Sequence, residues 1–249
     1  MNKLYEKNEV TFAIILIIVY VIGTSVAESF TASIGIQKLI PAVFHVIFTV
    51  VVLAWTFKHG YAEKYGLFVP RYKLTRAWFF IPLIVVACSG LFFGIEIQYS
   101  ALETVLYIIS MVCVGFLEEI IFRGFLFIGM AKKNVRSAII VSSLTFGIGH
   151  IVNLFNGKDL LETIAQIVFA VAVGFVLVTL FYKGKSLLPC IAFHALNNSL
   201  SALEKSNEEV ASSLSLSTGQ FELIIISAFV VILGVYAWAM MKKLDVSQE

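Results

Sequence analysis

Charge is what this sequence has least of. Only 14% of its 249 residues are Asp, Glu, Lys or Arg, where a soluble domain carries about 25%. A chain so poor in charge is not disordered, and a net charge of +2 leaves no basic surface for nucleic acid. Cysteine is scarce and unpaired. Cys88, Cys113 and Cys190 sit in apolar runs with no CxxC pair, so they read as small buried residues, and disulfides or a thiolate metal centre are not expected. No repeat, low-complexity tract or Pro-rich linker breaks the chain. What fills it is hydrocarbon: 59% of residues are hydrophobic and mean hydropathy is +0.94. The composition predicts an all-α polytopic membrane protein with 1–249 as a single integral membrane domain.

Eight apolar segments can be drawn, at about 11–27, 40–57, 77–97, 104–130, 137–155, 160–182, 186–203 and 221–241. The first follows Lys3 and Lys7 and ends near Ser25-Val26-Ala27, as a signal peptide could, but its apolar core is long for one. It reads as a retained helix. Fourteen of the eighteen basic residues fall on the N-terminal side of this eight-span arrangement, three on the other, and Arg123 alone inside. The positive-inside rule then predicts a cell-membrane protein with both termini cytoplasmic.

Against that background a few polar residues stand out. The fourth segment contains Glu118, Glu119 and Arg123. Three such charges cost about 8–10 kcal/mol at mid-membrane, while the fifteen Val, Leu, Ile and Phe residues of 105–128 return roughly 5–9 kcal/mol. Other helices must therefore satisfy those charges. On an α-helix Glu119 and Arg123 share a face and can pair, whereas Glu118 points about 100° away and is left to serve a water. Arg123 precedes the basic Lys132–Lys133 pair closely enough to put the group in the inner half of the bilayer.

The fifth segment supplies Phe146, His150 and Asn153 near one helix face, with Gly147 and Gly149 permitting a close neighbouring helix. The seventh supplies His194 and Asn198, also one turn apart. Each histidine alone could be a packed core residue. A Glu, two His and an Asn brought to membrane depth from three segments form a set suited to acyl hydrolysis: a base for water, an imidazole to place it, and donors for an oxyanion. His45 and His59 have no polar partner at helical spacing and read as packing and interfacial residues.

These residues resemble the CAAX-protease and bacteriocin-processing family of intramembrane proteases (CPBP or Abi), related to type II CAAX prenyl endopeptidases. Its EExxxR, FxxxH and HxxxN patterns are matched in order by Glu118–Arg123, Phe146–His150 and His194–Asn198, within a core of 104–203. The resemblance implies an eight-helix bundle whose water is activated by Glu118 and His150. It implies an oxyanion stabilised by His194 and Asn198, with Glu119 and Arg123 in support. Phe146 and Asn153 are placed as supporting residues by their helix face.

A metal-free glutamate mechanism is favoured. Zinc, held by Glu118, His150 and His194, is the alternative, although no HExxH pair is present and Asn198 is a poor zinc ligand. The expected partners are the lipid bilayer and a peptide or lipidated-peptide substrate. The short Ile- and Lys-rich chain reads as bacterial, which favours peptide maturation or bacteriocin self-immunity. The rival readings are a non-catalytic membrane immunity or peptide-binding protein, and a transporter with a proton relay, which would usually show mirrored halves.

Overall fold

In a computed structural model that describes residues 1–69 and 80–243, the described residues are mostly helical. A short α1 (Asn2–Lys7) leads into α2 (Glu9–Ile34), opened by Asn8, whose side chain accepts from the Thr11 amide, and closed by Gly35 at φ 75°. Then come α3 (Leu39–Lys58) and α4 (Ile81–Ala87). The capping box of Ser100 and Glu103 starts α5 (Ala101–Glu119), which continues without a break through a π-helical stretch, Ile120–Phe127, into α6 (Ile128–Ala131). Next are α7 (Val135–Ile148), running into the 3₁₀ turn Gly149–Leu154, and α8 (Leu160–Gly184). The chain finishes with α9 (Leu188–Leu200), α10 (Asn207–Ser213) and α11 (Thr218–Lys243).

Six of these stretches are long and apolar enough to cross a membrane: Glu9–Thr31, Leu39–Lys58, Ala101–Ala131, Val135–Leu154, Leu160–Gly184 and Thr218–Lys242. The protein is an all-α, multi-pass membrane protein. The other two expected spans are shorter than their hydropathy suggests. Segment 77–97, which begins outside the described residues, is represented by α4 and the 3₁₀ turn Gly90–Phe93. Segment 186–203 is α9 followed by the 3₁₀ turn Ser201–Leu203. A 13-residue α-helix rises about 20 Å, less than the roughly 30 Å of a bilayer core. Yet segment 186–203 links opposite ends of the molecule, and segment 77–97 reaches one of them. The Leu187 amide and the Ser186 hydroxyl donate to the Gly66 and Phe68 carbonyls at one end, 2.8 and 2.6 Å away. The Glu96 amide donates to the Leu203 carbonyl at the other, 2.9 Å away. The two short passes also pack on each other, α4 against α9.

The basic connections gather at one end. Glu9 takes Lys64 at 2.5 Å and Lys132 at 2.8 Å, tying the start of α2 to the loops after α3 and α6. Beside them the Tyr5 and Tyr65 hydroxyls bond at 2.6 Å, and Lys64 lies over the rings of Tyr5, Tyr61 and Tyr65. Burial raises the Tyr5 and Tyr65 phenols well above the ordinary range, so this pair stays neutral.

The core is a continuous apolar cluster centred on α5, the π stretch and α8, with Leu117, Ile120, Ile121, Leu177 and Leu180 fully enclosed. The outer faces of α2, α3 and α11 expose Ile, Val and Leu instead, as lipid-facing helices do. Helices approach closely where side chains vanish. A Cβ at Gly147 would meet the Val171 amide nitrogen at 2.9 Å and the Ile167 carbonyl at 3.0 Å on α8, so this glycine sets the α7–α8 distance. Gly149 has nothing within 4 Å of its would-be Cβ and plays no such part. Gly147→Leu should lose about 1–3 kcal/mol through overpacking, read as a lowered unfolding temperature in detergent, while Gly149→Ala should melt as wild type does.

Candidate functional site

Glu118 and Glu119 are the last two residues of α5, and the backbone changes from α to π immediately after them. A π turn carries its hydrogen bonds to the fifth residue, which offsets the ladder and leaves carbonyls to be claimed by others. Here the Ser142 hydroxyl of α7 donates to the Phe122 carbonyl at 2.9 Å. A regular α-helix through EExxxR, the geometry assumed from sequence, is thus replaced by a wider turn that is buried along its whole length.

The pairing read from sequence is present. Arg123 donates from Nη1 to Glu119 Oε1 at 2.9 Å, and both side chains are fully buried. That same oxygen accepts from His194 Nδ1, also at 2.9 Å. The Arg123 guanidinium lies 4.1 Å from the Phe146 ring centre, a cation–π contact worth about 2 kcal/mol where water is excluded. Phe146 is the hub of the group. Its ring meets His150 and His194 edge-on at 5.4 and 5.6 Å as well as holding Arg123, so the first position of FxxxH orients three polar side chains at once.

Glu118 faces elsewhere. Its Oε1 accepts the Tyr20 hydroxyl of α2 at 2.6 Å, and its Oε2 lies 3.3 Å from His194 Nε2. His194 therefore stands between the two carboxylates, one ring nitrogen towards each. His150 occupies the 3₁₀ turn beyond α7, where its Nδ1 donates to the Phe146 carbonyl at 3.1 Å. A carbonyl only accepts, so the neutral ring carries its proton on Nδ1 and keeps Nε2 as an acceptor.

Glu118 and His150 border one cavity of about 100 Å³, together with Phe146, Phe122, Tyr20, Thr24, Ser25, Asn153 and Asn156. Residues three apart eclipse in a 3₁₀ turn, which puts Asn153 on the same side as His150, and Asn156, just beyond the turn, lines the same cavity. Through them the cavity leads towards the end opposite the basic loops. Asn153 also donates to Gln166 of α8 at 2.8 Å.

Not every expected residue reaches the cavity wall. His194, beside Glu118 Oε2, does not line it, and Asn198, one turn on, has its Oδ1 3.3 Å from the Asn197 side-chain nitrogen. Conversely, Tyr20 and Thr24 line the cavity although the sequence reading passed over them. Their signal was a hydroxyl pair at helical spacing in an otherwise aliphatic run. His45, read as apolar packing, is buried with polar partners on two other helices: Ser110 Oγ at 2.8 Å from Nδ1 and Thr24 Oγ1 at 3.0 Å from Nε2. His59 does behave as an end residue, donating to the Trp55 carbonyl at 2.8 Å and stacking on Tyr61.

The donors named for the zinc alternative have other partners in this arrangement. Among the described residues no three His, Cys, Asp or Glu side chains are grouped to hold a metal ion. The donors the alternative needs are turned to other partners, His194 to both carboxylates, Glu118 Oε1 to Tyr20 and His150 Nδ1 to a backbone carbonyl.

Residues 100–200 match the family described as Type II CAAX prenyl endopeptidase Rce1-like. The matched stretch contains all three motifs, in agreement with the resemblance they carry. No curated protein matches the chain.

The buried Glu119–Arg123 pair makes a sharp stability prediction. Arg123→Ala leaves Glu119 charged and enclosed, which should cost about 3–5 kcal/mol and deplete folded protein in detergent. The double variant Glu119→Gln/Arg123→Met, which removes both charges, should recover most of the unfolding temperature lost by Arg123→Ala.

Proposed function

We propose that this protein, Rce1-like over residues 100–200, is an intramembrane endopeptidase using a metal-free, glutamate-activated water. The family match supports CAAX-type intramembrane proteolysis, and one observation supports the mechanism: Glu118 and His150, from different helices, wall the same small cavity inside the bundle.

In this reading a water sits between Glu118 and His150. His150 Nε2 accepts one of its hydrogens and aims the oxygen, while Glu118 Oε2 takes the other proton as the oxygen attacks the peptide carbonyl. The new C–O bond places negative charge on the carbonyl oxygen. We assign that charge to the HxxxN helix. A doubly protonated His194 ring, directed from Nδ1 to Glu119 and from Nε2 towards Glu118, is freed at Nε2 as Glu118 gains its proton, and Asn198 contributes its side-chain N–H, which the contact from Asn197 to its Oδ1 leaves free. The C–N bond then breaks as Glu118 passes the proton to the departing nitrogen, which restores the carboxylate. Glu119, fixed by Arg123, holds His194 from its other nitrogen.

Both termini are assigned to the cytoplasmic side, in a bacterial membrane, because the basic loops tied together by Glu9 mark one end. Substrates are membrane-associated or small peptides, in peptide maturation or bacteriocin self-immunity.

The test uses purified protein with a farnesylated fluorogenic CAAX peptide and an unprenylated membrane peptide. Glu118→Gln and His150→Ala should each lose at least about a hundredfold in kcat while melting as wild type does. Cleavage undiminished in both variants would remove the reading. Treatment with a strong chelator should leave the rate unchanged; loss of activity that zinc restores would replace the glutamate mechanism with a metal-dependent one.

A further inference from the structure

The two oxygens of Glu118 have unlike surroundings. Oε1 accepts a short bond from the Tyr20 hydroxyl, 2.6 Å. Oε2 is buried and has only His194 Nε2 nearby, at 3.3 Å, without a formed hydrogen bond. A phenol facing a carboxylate donates, so Tyr20 occupies Oε1 and pins the plane of the group. The oxygen left for proton transfer is then Oε2.

Tyr20 is itself held. Thr24 lies one turn further along α2, on the same face and in the wall of the same cavity. Its hydroxyl meets His45 Nε2 of α3 at 3.0 Å, and His45 Nδ1 meets Ser110 of α5 at 2.8 Å. The His45 ring also lies beside the Tyr20 ring, 6.0 Å between centres. Since α5 is the helix that carries Glu118, the contacts close a circuit: Glu118 to Tyr20, along α2 to Thr24, across to His45, and back to α5 through Ser110. A packing contact between helices in lipid needs no polar atoms, and every such atom must find a partner there. Four polar side chains, from three helices, form a chain that ends on the carboxylate facing the cavity.

We propose that Tyr20 is a positioning residue for Glu118, presenting Oε2 as the oxygen that takes the proton of water, and that Thr24, His45 and Ser110 hold Tyr20 in place. The proposal rests on the hydrolytic reading above and extends the site to α2 and α3, outside the matched residues 100–200.

The experiment measures kcat, KM and unfolding temperature with the farnesylated fluorogenic CAAX peptide. Tyr20→Phe deletes one oxygen. It should lower kcat by about 10–100-fold with KM within about twofold, because a misplaced catalytic group impairs the chemical step more than binding. Thr24→Val, which replaces the hydroxyl with a methyl group of similar size, should lower kcat about tenfold, and Thr24→Ser should retain the wild-type value. A purely structural role would shift the unfolding temperature and would not separate kcat from KM. Wild-type kcat in Tyr20→Phe, with Glu118→Gln inactive, overturns the positioning role and leaves the hydrolytic reading standing. Full activity in Glu118→Gln overturns that reading. Should Tyr20→Phe fail to fold, the Thr24 pair decides, and equal kcat for Ser and Val counts against the proposal.

Discussion

A carboxylate enclosed by hydrocarbon cannot be solvated, so it has to be held by other groups, and most of the unusual features of this bundle follow from that need. Glu119 answers it with Arg123 and His194 on a single oxygen, all of them buried. Arg123 in turn lies on the face of Phe146. The arrangement neutralises one negative charge fully, and in doing so it fixes the imidazole that stands against the second carboxylate. Glu118 is then held at one oxygen by the neutral Tyr20 hydroxyl, with the His194 ring near the other, and remains at the edge of a cavity. Adjacent glutamates in lipid are a liability only if both need a cation. Here one takes the guanidinium and the other takes the cavity.

The backbone bends to allow this. Two consecutive glutamates on a regular helix diverge, and the residues that serve them must come from different directions. The π turn that begins at Ile120 widens the helix at that point, and Ser142 takes up a carbonyl within it. The 3₁₀ turn at Gly149–Leu154 brings His150 and Asn153 to one side. The short α9 brings His194 between Glu118 and Glu119. Irregular backbone at membrane depth is tolerated only where protein or a polar cavity covers it, and all three irregular or short elements meet around this one site.

Much of this could be read from the residues. The all-α class followed from hydropathy, and the Glu119–Arg123 pair followed from a spacing of four, which survives the change from α to π geometry. The span lengths did not. Hydropathy counts apolar residues without asking whether they are in one helix, so α4 and α9, broken by 3₁₀ turns, looked like full spans. His45 was read as packing because its partners, Thr24 and Ser110, lie on other helices, and periodicity sees only one helix at a time.

That last omission has a physical lesson for the arrangement as a whole. The matched stretch, 100–200, carries the groups with obvious chemistry, and all of them were visible as charges or imidazoles out of place in lipid. The groups that surround Glu118 from α2 and α3 are hydroxyls, which cost little to insert and so leave little trace in a hydropathy profile. A hydroxyl is nevertheless well suited to holding a carboxylate without cancelling its charge: it donates one hydrogen bond and stays neutral, where a second arginine would form a closed ion pair. A base that must accept a proton is better served by the weaker partner. The division of the bundle follows from this. Ionic partners come from the helices that carry the motifs, and neutral donors come from the helices that complete the wall of the cavity.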